Sequence, residues 1–333
     1  MFTEAIEQIL RDRVTPQAVR VIESGAAPTA VWGALEEAGF LELLAPEAAG
    51  GAGLPLPALA PIFTAFGRYA VPVPAAQSIA ARALLREAGV PAPAGMITLA
   101  GACRRAPDGS LRAALVPFGM TSDHVLADVG GDMLLLDAAQ AQRTATGVRG
   151  SLCGTLCWRQ DAVPAALSGN GEEVRLFSAA IHAAAIAGAL DRVFGMTLQY
   201  CNDRSQFGKS IGKFQAVQHQ LSVMAQHVAS AGMAAEMAFS GAGNVPQRLP
   251  VAMAKARTSM AVPLVAAAAH ALHGAIGVTE EYDLQLYTRR LHEWRAADGA
   301  ETFWNRMVGE ALLARAQASV ADFARTTLGA VAA

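Results

Sequence analysis

The sequence predicts a mainly α protein in three parts: an N-terminal helical domain over residues 1–92, a small middle β domain over 93–168, and a C-terminal four-helix bundle over 169–333. Three observations carry this. Apolar residues recur at helical spacing towards both ends of the chain. Between them the apolar stretches shorten and turn residues punctuate them. Hydrophobic residues make up 53% of the chain and charged ones 16%, a balance suited to large cores and to surface covered by other subunits.

In the first part, Val31 to Leu44 places Val31, Leu35, Phe40 and Leu43 near one helical face. Pro46 and the run Gly50 to Pro55 break that helix. Another runs from about Pro57 to Tyr69. Val71-Pro72-Val73-Pro74 then forces an extended crossing before a helix over Ala75 to Ala88. In the middle, Met96–Leu99, Arg112–Val116, His124–Ala127 and Met133–Leu136 read as strands, separated by Pro107-Asp108-Gly109 and Gly130-Gly131-Asp132. The last part predicts four long helices: Leu176–Tyr200, Phe214–Phe239, Val251–His273 and Ala300–Leu328. Short connections make them an up-and-down bundle.

The bulk chemistry excludes several roles. Net charge is −2 and no Lys/Arg run stands out, so neither nucleic acid nor an anionic membrane is an expected partner. The opening MFTEAIEQILRDRV lacks the apolar core of a secretory signal. The most apolar stretch, Ala261–Leu272, contains Pro263 and His270 and is too short to span a bilayer. A cytoplasmic protein with no membrane span is expected. Cys103, Cys153, Cys157 and Cys201 are too few for a disulfide scaffold, and Cys153-x-x-x-Cys157 lacks a second ligand pair for a metal. His182, His219 and His227 fall on helical faces and read as packed or solvated rather than catalytic.

Two segments carry chemistry. Arg204 to Gln215 joins two long helices. It supplies Arg204, Lys209 and Lys213 as cations, Gln206 and Gln215 as amides, and Phe207 and Phe214 as flat faces. That set suits a phosphate-bearing aromatic cofactor; on residue types alone a solvated loop whose aromatics plug the core is the favoured reading. His273 to Tyr282 follows an apolar helix and holds Gly274 and Gly277. It reads as an anion-presenting backbone turn or as a plain helix C-cap.

In this order and spacing, the two segments resemble the acyl-CoA dehydrogenase family. The match continues through Leu284, Leu286, Tyr287, Arg289 and Arg290. Trp32 to Phe40, Pro46-Glu47 with Gly50, Gly51 and Gly53, Gly67-Arg68 and Pro72-Val73-Pro74 also fit. The likeness is strong over 204–215 and 273–290 and weak over 93–168, and it is greatest to reduced, two-component members used on bulky CoA thioesters, including steroid side chains. It implies an acyl-CoA dehydrogenase-like fold and an FAD-dependent α,β-dehydrogenation of an acyl-CoA, with electron-transfer flavoprotein or a similar acceptor. It also implies a homo- or hetero-tetramer in which one subunit completes its neighbour's FAD site.

By that resemblance Arg204, Gln206, Phe207, Phe214 and Gln215 meet the FAD, and His273, Gly274 and Gly277 shape the loop approaching a neighbour's FAD. The family's glutamate base falls at Asp298, one methylene shorter, with Glu301 as a second carboxylate in reach. Asp298-Gly299 reads equally as a cap and turn before the last helix. Ala275 stands where the family has a second glycine, and the flavin-flanking signatures of the middle domain are not recognisable. A scaffold subunit that completes a partner's site is therefore an open alternative, as is a flavin monooxygenase-like branch of the same fold.

Overall fold

The computed structural model describes residues 2–315 and 319–329. Five helices open the chain: α1 (Phe2–Arg13), α2 (Pro16–Glu23), α3 (Thr29–Glu37), α4 (Leu59–Arg68) and α5 (Ala75–Glu87). The Thr15 hydroxyl caps α2 by accepting from the Ala18 N–H at 3.2 Å, with Pro16 at the first helical position. Gly39 adopts a left-handed conformation just beyond α3. The helix expected over Val31–Leu44 therefore stops at Glu37 and resumes as one 3-10 turn, Phe40–Glu42.

Eight strands follow: β1 (Ile97–Ala100), β2 (Cys103–Arg105), β3 (Leu111–Val116), β4 (His124–Val129), β5 (Asp132–Asp137), β6 (Gln142–Ala145), β7 (Gly154–Trp158) and β8 (Leu167–Asn170). They form two four-stranded sheets, ordered β1-β4-β5-β8 and β2-β3-β7-β6. Of these pairings β1–β4 is parallel and the others are antiparallel. A shared core holds Leu111, Val125, Leu134, Leu156 and Trp158. The sequence reading missed β2, β6, β7 and β8. The burial of β2, β6 and β8 is too slight to impose alternation.

Six helices complete the described chain: α6 (Gly171–Asp203), α7 (Gln215–Met237), α8 (Arg248–His273), α9 (Leu284–Ala296), α10 (Glu301–Leu313) and α11 (Val320–Gly329). α8 packs on α6, α7 and α10 to make the bundle, and α9 lies against α6 and α8. The single helix expected over Ala300–Leu328 is α10 and α11 instead; its residues 316–318 lie outside the described residues. α11 folds back so that Phe323 is buried beneath the Arg315 guanidinium, 4.9 Å from the ring centroid.

The helical domain locks onto the bundle where α4 crosses α6. A Cβ on Gly67 would collide with the Ala185 carbonyl, and one on Gly188 with the Thr64 carbonyl. Two glycines thus permit backbone-to-backbone approach. The apolar stretch Ala261–Leu272 lies within the longer α8. Both α6 and the segment Arg248–Val278 are long and apolar enough to cross a bilayer. For α6, 83% of that apolar window is buried inside the protein, as befits a core helix.

Candidate functional site

α6 and α8 end at the same pole of the bundle at which α7 begins, so the two informative segments meet there. Between α6 and α7 the chain makes a hairpin, β9 (Ser205–Gln206) and β10 (Lys209–Ser210), with Gln206 opposite Lys209. Phe207 (φ 51°) and Gly208 (φ 78°) form its tip, the two positive φ values of a tight primed turn. Glycine takes this conformation freely; phenylalanine does so with strain. The Phe207 ring at this tip is 91% exposed. Phe214 meets it edge to face at 6.2 Å, and Lys209 Nζ sits 4.4 Å from the Phe214 centroid.

Arg204, Gln206 and Gln215 are exposed, and no hydrogen bond or ion pair joins their side chains to any described residue. These groups do not plug the core. They form an open set of a cation, two amides and two rings, a donor set suited to a pyrophosphate and an aromatic base.

The glycine segment approaches this hairpin through a ring stack. Tyr200, in the last turn of α6, lies on His273, at the end of α8, with centroids 4.5 Å apart. His273 is buried. Its Nδ1–H donates to the Ala269 carbonyl at 2.8 Å, and Nε2 lies 3.2 Å from the Tyr282 hydroxyl. His273 therefore faces inward and joins the two segments, while Gly274 and Ala275 are exposed. Gly274 takes φ 64° with open space around it. Gly277 is buried, and a Cβ there would lie 3.0 Å from the His273 Cβ.

The carboxylates lie elsewhere, Asp298 in the turn between α9 and α10 and Glu301 at the first position of α10. Asp298 (φ 54°) and Gly299 (φ 100°) make that turn with consecutive left-handed residues. Asp298 Oδ2 accepts from the Ser178 hydroxyl at 2.6 Å and from His182 Nδ1 at 2.8 Å, both on α6. Asp298 Oδ1 lies against Gly101, just beyond β1. Burial pushes the Asp298 carboxyl upward, but hydrogen bonds from His182 and Ser178 and the nearby Lys255 ammonium outweigh it and hold it below the usual carboxylate range. Glu301 is instead held by Arg295 through two hydrogen bonds, one of them 3.0 Å.

Lys255 of α8 supports the turn from below. It is fully buried, and its Nζ donates to Ser259 Oγ, the Arg295 carbonyl and the Gly299 carbonyl at 3.0–3.1 Å. Burial pushes its pKa down to about 8. On the far side, Arg175 donates through Nε to the Gly101 carbonyl and pairs with buried Asp128, both at 2.7 Å. Tyr200, Tyr282, Ser178, His182, Arg175 and Lys255 were absent from the sequence-predicted site. Ser178 and His182 share a helix face at i, i+4, but nothing local tied that face to position 298.

Two family models match the chain: acyl-CoA dehydrogenase, N-terminal domain, over residues 1–92, and acyl-CoA dehydrogenase, C-terminal domain, over residues 176–313. The chain belongs to the acyl-CoA dehydrogenase family. Membership implies an oxidoreductase, and the family is FAD-dependent. Acyl-CoA dehydrogenase IpdE2 of Mycolicibacterium smegmatis is 29% identical over 300 residues, 88% of this chain and 91% of that one. Among solved structures, the Tcur3481–Tcur3483 steroid ACAD aligns with TM-score 0.76 and 28% identity, covering 94% of this chain and 96% of that one. The ChsE4–ChsE5 complex of Mycobacterium tuberculosis aligns with TM-score 0.78 and 22% identity, covering 95% and 97%, and shows the common acyl-CoA dehydrogenase fold.

Proposed function

We propose that this acyl-CoA dehydrogenase family member is a subunit of an FAD-dependent enzyme that introduces the α,β double bond into an acyl-CoA, and that its FAD sites are completed between subunits. The observation that carries this is the exposed hairpin at the pole of the bundle. Arg204, Gln206 and Gln215 have their polar groups free of described partners, Phe207 is exposed and Phe214 half-buried. A neighbour's FAD fits that set: Arg204 pairs with the pyrophosphate, and Phe207 and Phe214 offer faces to the adenine. Bound FAD supplies the hydride acceptor. This chain's own contribution to proton abstraction is built around Asp298, the ionised carboxylate against α6, with Glu301 committed to Arg295.

Several finer assignments follow from the same reading. Tcur3481–Tcur3483 is described as a steroid ACAD and ChsE4–ChsE5 as a complex. By analogy a bulky, steroid-derived acyl-CoA is the substrate class and a related chain completes a tetramer. Electron-transfer flavoprotein or a similar carrier accepts the electrons in the cytoplasm.

One observation favours a second reading, a scaffold subunit serving its partner's FAD. The contact among Gly101, Arg175 and Asp298 closes the seam between β domain and bundle. Flavin stoichiometry separates the two. We expect the chain co-purified with its related partner to carry one FAD per subunit, bleached by acyl-CoA. One FAD per pair, with its bleaching by acyl-CoA undiminished in Asp298→Asn, would establish the scaffold. Arg204→Ala should release FAD in either case.

A further inference from the structure

His182 projects from the middle of α6 and is 2% exposed. Its Nδ1 lies 2.9 Å from the Ser178 carbonyl oxygen and 2.8 Å from Asp298 Oδ2. A carbonyl and an ionised carboxylate only accept, so the proton sits on Nδ1. In the neutral ring Nε2 then carries the lone pair. It is buried and has no hydrogen-bond partner. Orphaned buried ring nitrogens call for an explanation.

His182 lines a cavity bounded by Phe63 and Phe66 of α4, Val73 and Gln77 at the start of α5, Phe118, and Trp294 of α9. None of the cavity's other lining residues is titratable. Lys255 of α8 faces Asp298 from the other side, and Arg175 reaches the Gly101 carbonyl beside Asp298 Oδ1. An imidazole whose Nδ1–H is held by a buried carboxylate, with Nε2 opening on an apolar space, is built as a proton acceptor. The cavity holds only about 30 Å³, about the room for one water, so the phenylalanine walls must part for a substrate carbon to reach Nε2.

We infer that His182 is the catalytic base for an α-proton of the acyl thioester and that Asp298 is its positioning residue. This rests on the dehydrogenase reading above. In the step, Nε2 forms the N–H bond as the substrate's Cα–H bond breaks. The electron pair passes into the thioester carbonyl as an enolate. The imidazolium formed is stabilised across the Nδ1–H bond by Asp298, which keeps its charge. The step is reversible and needs no oxidant. In D2O it therefore exchanges the α-proton of an acyl-CoA whether or not dehydrogenation follows.

The test follows that exchange by mass spectrometry, with the holo complex, in D2O, on the acyl-CoA that the wild type turns over. His182→Gln should lose exchange and dehydrogenation together, by about 100-fold or more. Asp298→Asn should lose exchange too, because an amide donor facing Nδ1 drives the proton to Nε2. Its FAD content should not change. Undiminished exchange in His182→Gln would overturn the assignment while leaving the dehydrogenase reading intact. A wild-type FAD complex that neither exchanges nor oxidises any acyl-CoA removes both. Should the variants fail to fold, 15N-histidine NMR of the wild type decides. An Nδ1–H tautomer, with an Nε2 resonance that moves on adding acyl-CoA, supports the base; an Nε2–H tautomer overturns it.

Discussion

The ring of Tyr200 lies on the ring of His273 at 4.5 Å, an interplanar angle of 25°. With Tyr282, which meets both rings, this stack joins the end of α6 to the end of α8. It therefore sets the distance between the exposed hairpin and the glycine segment. Tyr200→Ala should weaken FAD retention about tenfold while far-UV circular dichroism stays unchanged, since both helices are held along their lengths by other contacts. Equilibrium dialysis of FAD against the purified complex would measure it. Unchanged retention would show that the hairpin is positioned without the stack.

Where α4 crosses α6, space is already exhausted. Gly188→Ala drives a methyl into the Thr64 carbonyl, which is backbone and cannot swing aside. The expected cost is about 1–3 kcal/mol or more, seen as a lowered Tm. Gly195→Ala, on the same helix with open space around it, should leave Tm the same or slightly higher.

Glu23 ties α2 to α9. Its carboxylate pairs with Arg290 at 2.9 Å and Arg289 at 3.0 Å, and Arg290 is buried. Glu23→Ala leaves the Arg290 guanidinium uncompensated and should cost about 3–5 kcal/mol. Urea denaturation of the variant, and of Glu23→Leu combined with Arg290→Met, checks it. The double variant should recover much of the loss if buried charge is the cause.

Lys255 makes stability depend on pH with a definite sign. Folding lowers its pKa from 10.5 to about 8. Between those values the unfolded chain binds the extra proton, so stability rises with pH there. Below about pH 8 the folded protein bears the full cost of the buried charge. Against Lys255→Met, the wild type should gain relative stability from pH 8 to 10, by no more than about 3 kcal/mol. A pH-independent difference between the two would mean that the lysine stays charged throughout.

Much of this architecture was legible in one dimension. Pro46 and Val71-Pro72-Val73-Pro74 mark breaks in the sequence through their own backbone preferences, whereas Gly39, read inside a helix, ends it. The strands from Leu111 to Asp137 showed because they bury enough apolar surface to pattern the sequence. β6 and β8 bury too little to do so. The break after α10 was invisible because Ala314 and Arg315 are both good helix formers; beyond it Phe323 is buried beneath Arg315.

The sequence by itself determined the family, the helical bundle and the residues of the exposed hairpin, because periodicity, turn chemistry and motif spacing are properties of neighbours along the chain. Only the tertiary structure decided what those residues meet. It turned His273 inward, freed Arg204, and set Asp298 against a histidine 116 positions earlier. Such contacts join elements remote in sequence. Whether a polar group is a spent hydrogen bond or an available one is settled only when folding removes water from around it.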